Sequence, residues 1–479
     1  MEVLMYQIKL YNTATRSVEP VVTHEPGKLT MYTCGPTVYH YAHIGNIRTY
    51  IMEDVLEKLF RLAGYEVKRG MNITDVGHLT SDADTGADKM LEGAKREGKT
   101  AMEIAEFYTN AFFADCEKVN VAKPETVVPA TSCIKEFIDL ISVLFDKGYA
   151  YMAGGNVYFD TSKANDYYRL TGHSADDLMV GVRDDVTEDT NKRNKSDFVL
   201  WFTTSKFGEQ ELRWDSPWGY GYPGWHIECS AISLKYLGEY LDIHAGGVDN
   251  IFPHHTNEIA QSEAAIGHEW CGHWFHPRHL NDKSGKMSKS KGGILTVSAL
   301  EEKGYDPLAY RLFCLQSHYM KQLVFSYESL DNAASAYEKL ISRVASVKAA
   351  ANDEKGEADM AKVEEYKQRF IETVGDDLNT SMGLTLLYEV LKADISARTK
   401  LAIIDVFDSV LSLDLQKGEI KNDEVSGGDE TAHLEELLVK RAEAKKNKDW
   451  ATADAIRDEV KAAGYLIVDT PEGAKLKKI

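Results

Sequence analysis

The stretch TCGPTVYHYAHIGNIRTY, residues 33–50, brings a cysteine, a tight turn and the start of a helix into eighteen residues. Met31, Tyr32 and Thr33 read as the end of a buried strand, and Gly35-Pro36 breaks it. From Ile44 through Ile51 to Leu56 and Leu59 the apolar residues keep helical spacing. The product is strand, loop, helix. In such a unit the free N–H groups of the first helical turn face the loop and attract an anion, and Gly45 admits a flat or phosphorylated group close to the backbone. His43 stands at that mouth. Because His43-Ile44-Gly45-Asn46 also suits an ordinary surface turn, a nucleotide reading needs a second element.

That element lies far downstream. Lys286-Met287-Ser288-Lys289-Ser290 follows the approach Asp282-Lys283-Ser284-Gly285, which places two lysines on a loop able to close over a triphosphate. A solvated basic loop would have the same composition, so the pairing of the two strings around one α/β region carries the weight.

Composition bounds the reading. With 479 residues and 43% hydrophobic content there is room for two to four domains and a large core. A formal charge of -20 argues against a protein that coats nucleic acid non-specifically, although a shaped RNA can dock on a local basic face. Six scattered cysteines are too sparse for a disulfide framework and point to a reducing compartment. The N-terminal MEVLMYQIKLYNT has no charged segment followed by an apolar core, and no apolar run is long enough to span a bilayer, so the cytoplasm is expected.

Outward from the central stretch, residues 7–22 alternate as a strand pair, and Tyr65 to Lys68 leads into a strand ending near Ile73. Thr74 and Asp75 then sit at a strand end, where open α/β sheets bind ligands. The loop Ser81 to Asp88 imitates a calcium loop, but its glycine falls at the fifth position and Gly93 stands where a Glu is needed, so an acidic loop is expected. Helices are expected over 101–119 and 132–147, and strands at Val157 to Phe159 and Phe198 to Phe202. Pro223 is placed in the first turn of a helix ending at Gly238, with Trp225 and Cys229 four apart on one face and the Cys229 thiolate favoured by the helix start. Leu241 to His244 reads as a strand running into Ala245-Gly246-Gly247, and Asp249 can accept hydrogen bonds from ribose hydroxyls. Pro253 opens a further helix carrying His254, His255 and Glu258. Stripes at 327–350, 360–374 and 381–413 form a helical bundle. After an unpatterned linker come helices at 433–446 and 450–463 and a strand at 465–468. From Lys440 on, ten basic residues face seven acidic ones.

The two lysine and histidine strings, in this order, resemble class I aminoacyl-tRNA synthetases. The likeness narrows with TCGPTVYHYAHIGN, the NITD of Asn72 to Asp75, PGWHIECSA at 223–231 and FPHHTNEIAQ at 252–261, which resemble the cysteinyl-tRNA synthetase family over nearly the whole chain. The resemblance implies an α/β fold: a class I Rossmann-type catalytic domain with an insertion, then an α-helical bundle and a small mixed α/β C-terminal domain. The implied boundaries are 1–120 and 215–294 for the two catalytic halves, 121–214 for an insertion handling the acceptor end, and 295–326 for a stem-contact segment. They continue with 327–415 for the bundle, 416–431 for a linker and 432–479 for the anticodon-binding domain. There, Trp450 can stack on an unstacked base, with Lys446 to Asp449, Arg457 and Asp458 nearby.

It also implies a metal. Cys34, Cys229, His254 and Glu258 supply two sulfurs, a nitrogen and an oxygen, all acceptable to one Zn2+, with His255 the alternative nitrogen. Thr74 and Trp225 are implied to contact cysteine. His43, Gly45, Asn46, Gly246, Gly247, Asp249, Lys286 and Lys289 are implied to hold ATP with Mg2+, and His43, Asn46, Lys286 and Lys289 to neutralise charge during catalysis. The family's turn has three glycines, and Ala245 stands for the first; Asn46 ends a motif that carries His or Asn there. The implied reaction activates L-cysteine with ATP and transfers it to the terminal ribose of cysteine tRNA, by a monomer. Serine differs from cysteine by one atom, a change that an apolar pocket separates by only about 1 to 3 kcal/mol, whereas zinc takes the thiolate directly. Three rivals remain: a mycothiol-type ligase joining cysteine to an amino sugar, a catalytically silent RNA-binding paralogue, and a zinc hydrolase. The C-terminal module, the intact His43 and lysines, and the second thiolate argue against them in turn.

Overall fold

Five short strands pair side by side as one parallel sheet in the computed structural model, which describes residues 5–76, 79–81, 85–172, 189–204, 212–282, 285–286, 294–419, 432–446, 449–463, 465–470 and 473–478. They are β1 (Lys28–Thr33), β2 (Glu66–Ile73), β3 (Thr126–Pro129), β4 (Leu241–Ala245) and β5 (Cys271–Phe275), in the order β5-β4-β1-β2-β3. All four pairings are parallel. The order reverses between β1 and β4, and the crevice beyond the carboxyl ends of those two strands is where an open sheet of this kind takes a ligand.

Helix α1 (Ile44–Leu62) connects β1 to β2 and is buried on nearly every side. Its apolar Ile47, Ile51, Val55 and Leu59 pack into the main core, so truncating one of them to Ala would cost about 2–5 kcal/mol. Its buried carboxylates are paired: Glu53 and Glu57 with Arg69 at 3.2 and 3.1 Å, and Asp54 with Arg311 at 2.7 Å. The segment between the two halves of the sheet forms a four-stranded antiparallel sheet from Ala150–Ala153, Asn156–Phe159, Phe198–Phe202 and Tyr222–Pro223. Helices Tyr327–Asp353, Met360–Val374, Thr380–Lys392 and Ala397–Leu411 follow, their apolar stripes joining the same core as α1.

Two compact units result, Met1–Gly418 and Glu419–Ile479. The second has its own small core, in which Leu434, Leu437, Ile456 and Val460 meet under Tyr465 and Ile467.

Several expectations are corrected. Pro223 lies in a strand, and the helix begins after it with Gly224 as N-cap and Trp225 as the first residue. Pro253 lies inside a wide helical turn, Ile251–His255, and the regular helix starts at Thr256. The stripe expected at 381–413 is two helices, separated where Ser396 caps the second by accepting from the Thr399 N–H. Leu79–Ser81 and Thr85–Asp88 form an antiparallel pair rather than a loop. The last strand has a partner, Gly473–Lys478, which periodicity did not reveal. The Lys283-Ser284 approach, Met287 to Ser290 with Lys289, most of the 416–431 linker, and Asn447-Lys448 lie outside the described residues.

Candidate active site and metal centre

A cleft of about 380 Å³ opens at the carboxyl ends of β1 and β4. Its floor begins at Cys34, the first residue after β1, whose N–H donates to the Ala245 carbonyl at 3.1 Å and so ties it to the end of β4. Gly35 is required there: a Cβ would fall 1.6 Å from the Asn72 carbonyl oxygen. The turn is fixed further by Asn72, whose Oδ1 accepts from the Gly35 N–H at 2.8 Å and whose Nδ2 donates to Thr74 Oγ1 at 3.0 Å.

Two helices deliver the remaining donors. Helix α2 (Trp225–Leu237) brings Cys229, whose sulfur lies 3.9 Å from that of Cys34. Helix α3 (Thr256–Ile266) and the turn before it bring Glu258 and His254, with His254 Nε2 3.1 Å from Glu258 Oε1. One ligand atom from each of Cys34, Cys229, His254 and Glu258 lies within 4.8 Å of all the others, and all four residues are buried. A second set, Cys34, His244, His255 and Glu258, meets the same limit, so the geometry alone leaves His254 and His255 both eligible.

The donor chemistry fits a soft divalent cation. Burial pushes the Cys34 thiol up to about 11 and Cys229 well above the ordinary thiol range, the nearby Cys34 sulfur adding to the latter. Burial thus outweighs the helix start that was expected to favour the Cys229 thiolate. Glu258 is also raised by burial, against the opposing pull of His244 at 2.8 Å. Its Oε1 is buried and makes no well-aligned hydrogen bond, although His254 Nε2 lies 3.1 Å away. A dication among these groups would reverse the sign of every one of these shifts.

Around this set stand residues that sequence reasoning did not single out. His226 Nδ1 lies 2.9 Å from His254 Nδ1, His276 Nε2 lies 2.8 Å from His255 Nδ1, and Glu228 Oε2 accepts from Thr74 Oγ1 at 2.8 Å. Trp225 stacks on His254 with ring centroids 4.0 Å apart. Trp225 and Thr74 both line the cleft beside the sulfurs. Asp75 does not: it turns away to accept from the Thr131 N–H and Oγ1 at 2.9 and 2.6 Å.

The opposite end of the cleft is the start of α1. His43 is its N-cap: Nδ1 accepts from the Asn46 N–H at 3.1 Å while Asn46 Oδ1 accepts from the His43 N–H at 3.2 Å. The imidazole lies over Gly45, where a Cβ would come within 2.9 Å of Nδ1. His43, Gly45, Asn46, Gly247 and Asp249 line this end, and Asp249 Oδ1 lies 3.2 Å from His279 Nε2. Ala245 is fully buried at the end of β4, its methyl in the main core rather than in the cleft. Gly246, just beyond, is not among the lining residues. Lys286 belongs to a two-residue strand paired with Leu280–Asp282, and its side chain and Lys289 are outside the description.

The fold and the cleft define the class I aminoacyl-tRNA synthetases. A Mycobacterium tuberculosis methionyl-tRNA synthetase in complex with methionyl-adenylate superposes with a TM-score of 0.53 at 16% identity, covering 81% of this chain and 90% of that one. A putative arginyl-tRNA synthetase from Campylobacter jejuni gives 0.51 at 12%, covering 84% and 95%. These likenesses establish the fold. The family model "tRNA synthetases class I (C) catalytic domain" matches residues 20–335, and "Cysteinyl-tRNA ligase anticodon binding domain" matches 428–474. The cysteine-tRNA ligase of Treponema denticola is 44% identical over 98% of this chain and 100% of its own length. That of Borrelia hermsii is 42% identical over 98% and 99%. The chain belongs to the cysteine-tRNA ligase family, and is an enzyme of the ligase class with a catalytic and an anticodon-binding domain.

Proposed function

We propose that this chain activates L-cysteine with ATP and transfers it to the terminal ribose of cysteine tRNA, using the two ends of one cleft for the two halves of cysteinyl-adenylate. The observation that carries this reading is the convergence of Cys34, Cys229, His254 and Glu258 within 4.8 Å, across the cleft from the His43-capped helix start.

Cys34, Cys229, His254 and Glu258 would hold one Zn2+, which when bound supplies a soft Lewis acid that prefers a thiolate to a hydroxyl. Thr74 and Trp225 would flank the cysteine, Thr74 held in place by Glu228 and Asn72. In the first step the cysteine carboxylate attacks the α-phosphate of ATP, the new C–O–P bond forming as the bond to pyrophosphate breaks. Placement and charge neutralisation accelerate such a step more than proton transfer does. The positive end of α1, whose Ile44 and Asn46 N–H groups are already bonded to the Leu295 carbonyl and to His43 Nδ1, would meet the growing phosphate charge through its dipole and the His43 and Asn46 side chains, joined by Lys286 and Lys289 and by Mg2+ on the triphosphate. Gly247 and Asp249, which line that end of the cleft, would receive the adenosine, with Gly246 just behind them. In the second step a ribose hydroxyl, expected to be the 2′ one, attacks the adenylate carbonyl and AMP leaves.

We assign the inserted four-stranded sheet, expected within 121–214 but beginning after β3 and closing at Tyr222–Pro223, to the acceptor end, 295–326 to the stem, and 432–479 with Trp450 to the anticodon. We place its action in the cytoplasm, as a monomer; among the described residues no helix is long and apolar enough to cross a membrane. Cysteine-dependent exchange of pyrophosphate into ATP, followed by a choice between tRNA and an amino sugar as acceptor, tests the reading. Transfer to the amino sugar alone would replace it with the mycothiol-type ligase.

A further inference from the structure

Arg48 lies two residues past Asn46, in the first turns of α1, and is fully buried. Its partners among the described residues are carbonyl oxygens. Nη1 donates to the carbonyls of Arg278 at 2.6 Å and His279 at 2.8 Å, while Nη2 donates to those of Lys321 at 2.8 Å and His318 at 3.4 Å. Nε finds no acceptor. A cation removed from water and balanced by carbonyl dipoles is an expensive way to hold a helix, and burial weakens its hold on the proton. A planar guanidinium does one thing that no apolar side chain could: it joins backbone from two separate segments at once.

Those segments matter to the cleft. Arg278 and His279 line it opposite His43, and Leu280 Cβ sits 3.6 Å from where a Cβ on Gly45 would stand. His279 in turn places Nε2 3.2 Å from Asp249 Oδ1. The same helix start is clasped twice more, by the Ile44 N–H donating to the Leu295 carbonyl at 2.9 Å and by Tyr310 Oη donating to the Ile44 carbonyl at 2.6 Å. The backbone at Arg278-His279 and the backbone at Leu295 are therefore both fastened to the first turns of α1.

We propose that Arg48 is a positioning residue for the nucleotide: by fixing the Arg278-His279 backbone against α1 it sets the spacing between the His43–Asn46 turn and the His279–Asp249 pair. The assignment rests on the nucleotide reading of that end of the cleft. Lysine in its place keeps the charge but has one compact donor centre, so it cannot reach both segments.

The test uses the full-length protein with Arg48→Lys and His279→Ala, the latter removing only a partly exposed link of the same chain. Kinetics of cysteine-dependent pyrophosphate exchange are measured with ATP and cysteine varied separately, alongside thermal melting. Arg48→Lys is expected to lower kcat/KM for ATP by about 10- to 100-fold, with KM for cysteine changed less than about threefold. His279→Ala is expected to give the same ATP-selective pattern, smaller, with unaltered melting. Equal losses toward ATP and cysteine in Arg48→Lys would mark a merely structural role and overturn the proposal. If Arg48→Lys does not fold, His279→Ala decides, and an unchanged KM and kcat for ATP there would overturn it as well. Wild-type protein that binds ATP but shows no cysteine-dependent exchange would count against the cysteine reading and not against this one.

Discussion

The two ends of the cleft are built differently. Cys34, Cys229, His254 and Glu258 are at most 9% exposed, set by the ends of two central strands and two helices, and backed by further buried histidines. At the other end Asn46 and Asp249 are exposed and His43 is half-buried. The contrast matches what each end is proposed to recognise. Telling cysteine from serine needs donors held rigidly and kept from water. A triphosphate is large and charged, arrives with counter-ions, and on this proposal would be met by a helix start and by lysines from a separate segment. Losing a donor from the first end should therefore abolish recognition, whereas losing a group from the second should slow a step.

The largest expected effect lies at the buried end. Cys229→Ser should lower cysteine-dependent exchange by more than about 10³-fold and lower bound zinc with it, because the ligands act as a unit. Retention of both metal and exchange would remove Cys229 from the set. Next comes the exposed end, where Lys289→Ala should slow adenylate formation about 10²-fold while cysteine affinity stays unchanged. Pre-steady-state rates would check this. An unchanged rate would dismiss the loop, and a parallel loss of cysteine affinity would break the separation of the two ends.

The second compact unit sharpens the comparison. Truncation after Gly418 falls between the two compact units, and the second of these buries Leu434, Leu437, Ile456 and Val460 against one another, so the first should stay folded. Exchange should remain near normal while kcat/KM for tRNA falls about tenfold or more, the scale of one lost base stack. Equal aminoacylation by both forms would refute the anticodon assignment. The smallest effect is expected from Ala245→Gly, which restores the family's first glycine. Since the Ala245 methyl is buried in the core, KM for ATP should stay within about twofold and stability should fall by about 0.5–1 kcal/mol, read from a denaturant titration.

Much of the parallel sheet was legible because β1, β4 and α1 carry strong local patterns. The errors came where local signals have two meanings. Proline starts helices, yet Pro223 ends a strand and Pro253 sits in a wide turn, since the chain must bend there to bring α2 and α3 to the sheet end. The strand Gly473–Lys478 has three lysines and only Ala474 and Leu476 as an alternating apolar pair, too short a pattern to mark it. Within the candidate site, Cys34, Cys229, His254 and Glu258 were picked out by the residue types metals need, combined with family likeness, and the structure brings them together alongside a second set with His244 and His255. His226, His276 and Glu228 were missed because their contacts exist only once β5, α2 and the turn before α3 have met. Arg48 gave no signal at all: an arginine near a helix start looks solvated until the carbonyls around it are known.

The buried end is tested most directly by elemental analysis of purified protein that is active in cysteine-dependent pyrophosphate exchange. The expected result is one zinc per chain, removed by a chelator together with exchange and restored with it. Fully active protein free of zinc would contradict the assignment of Cys34, Cys229, His254 and Glu258.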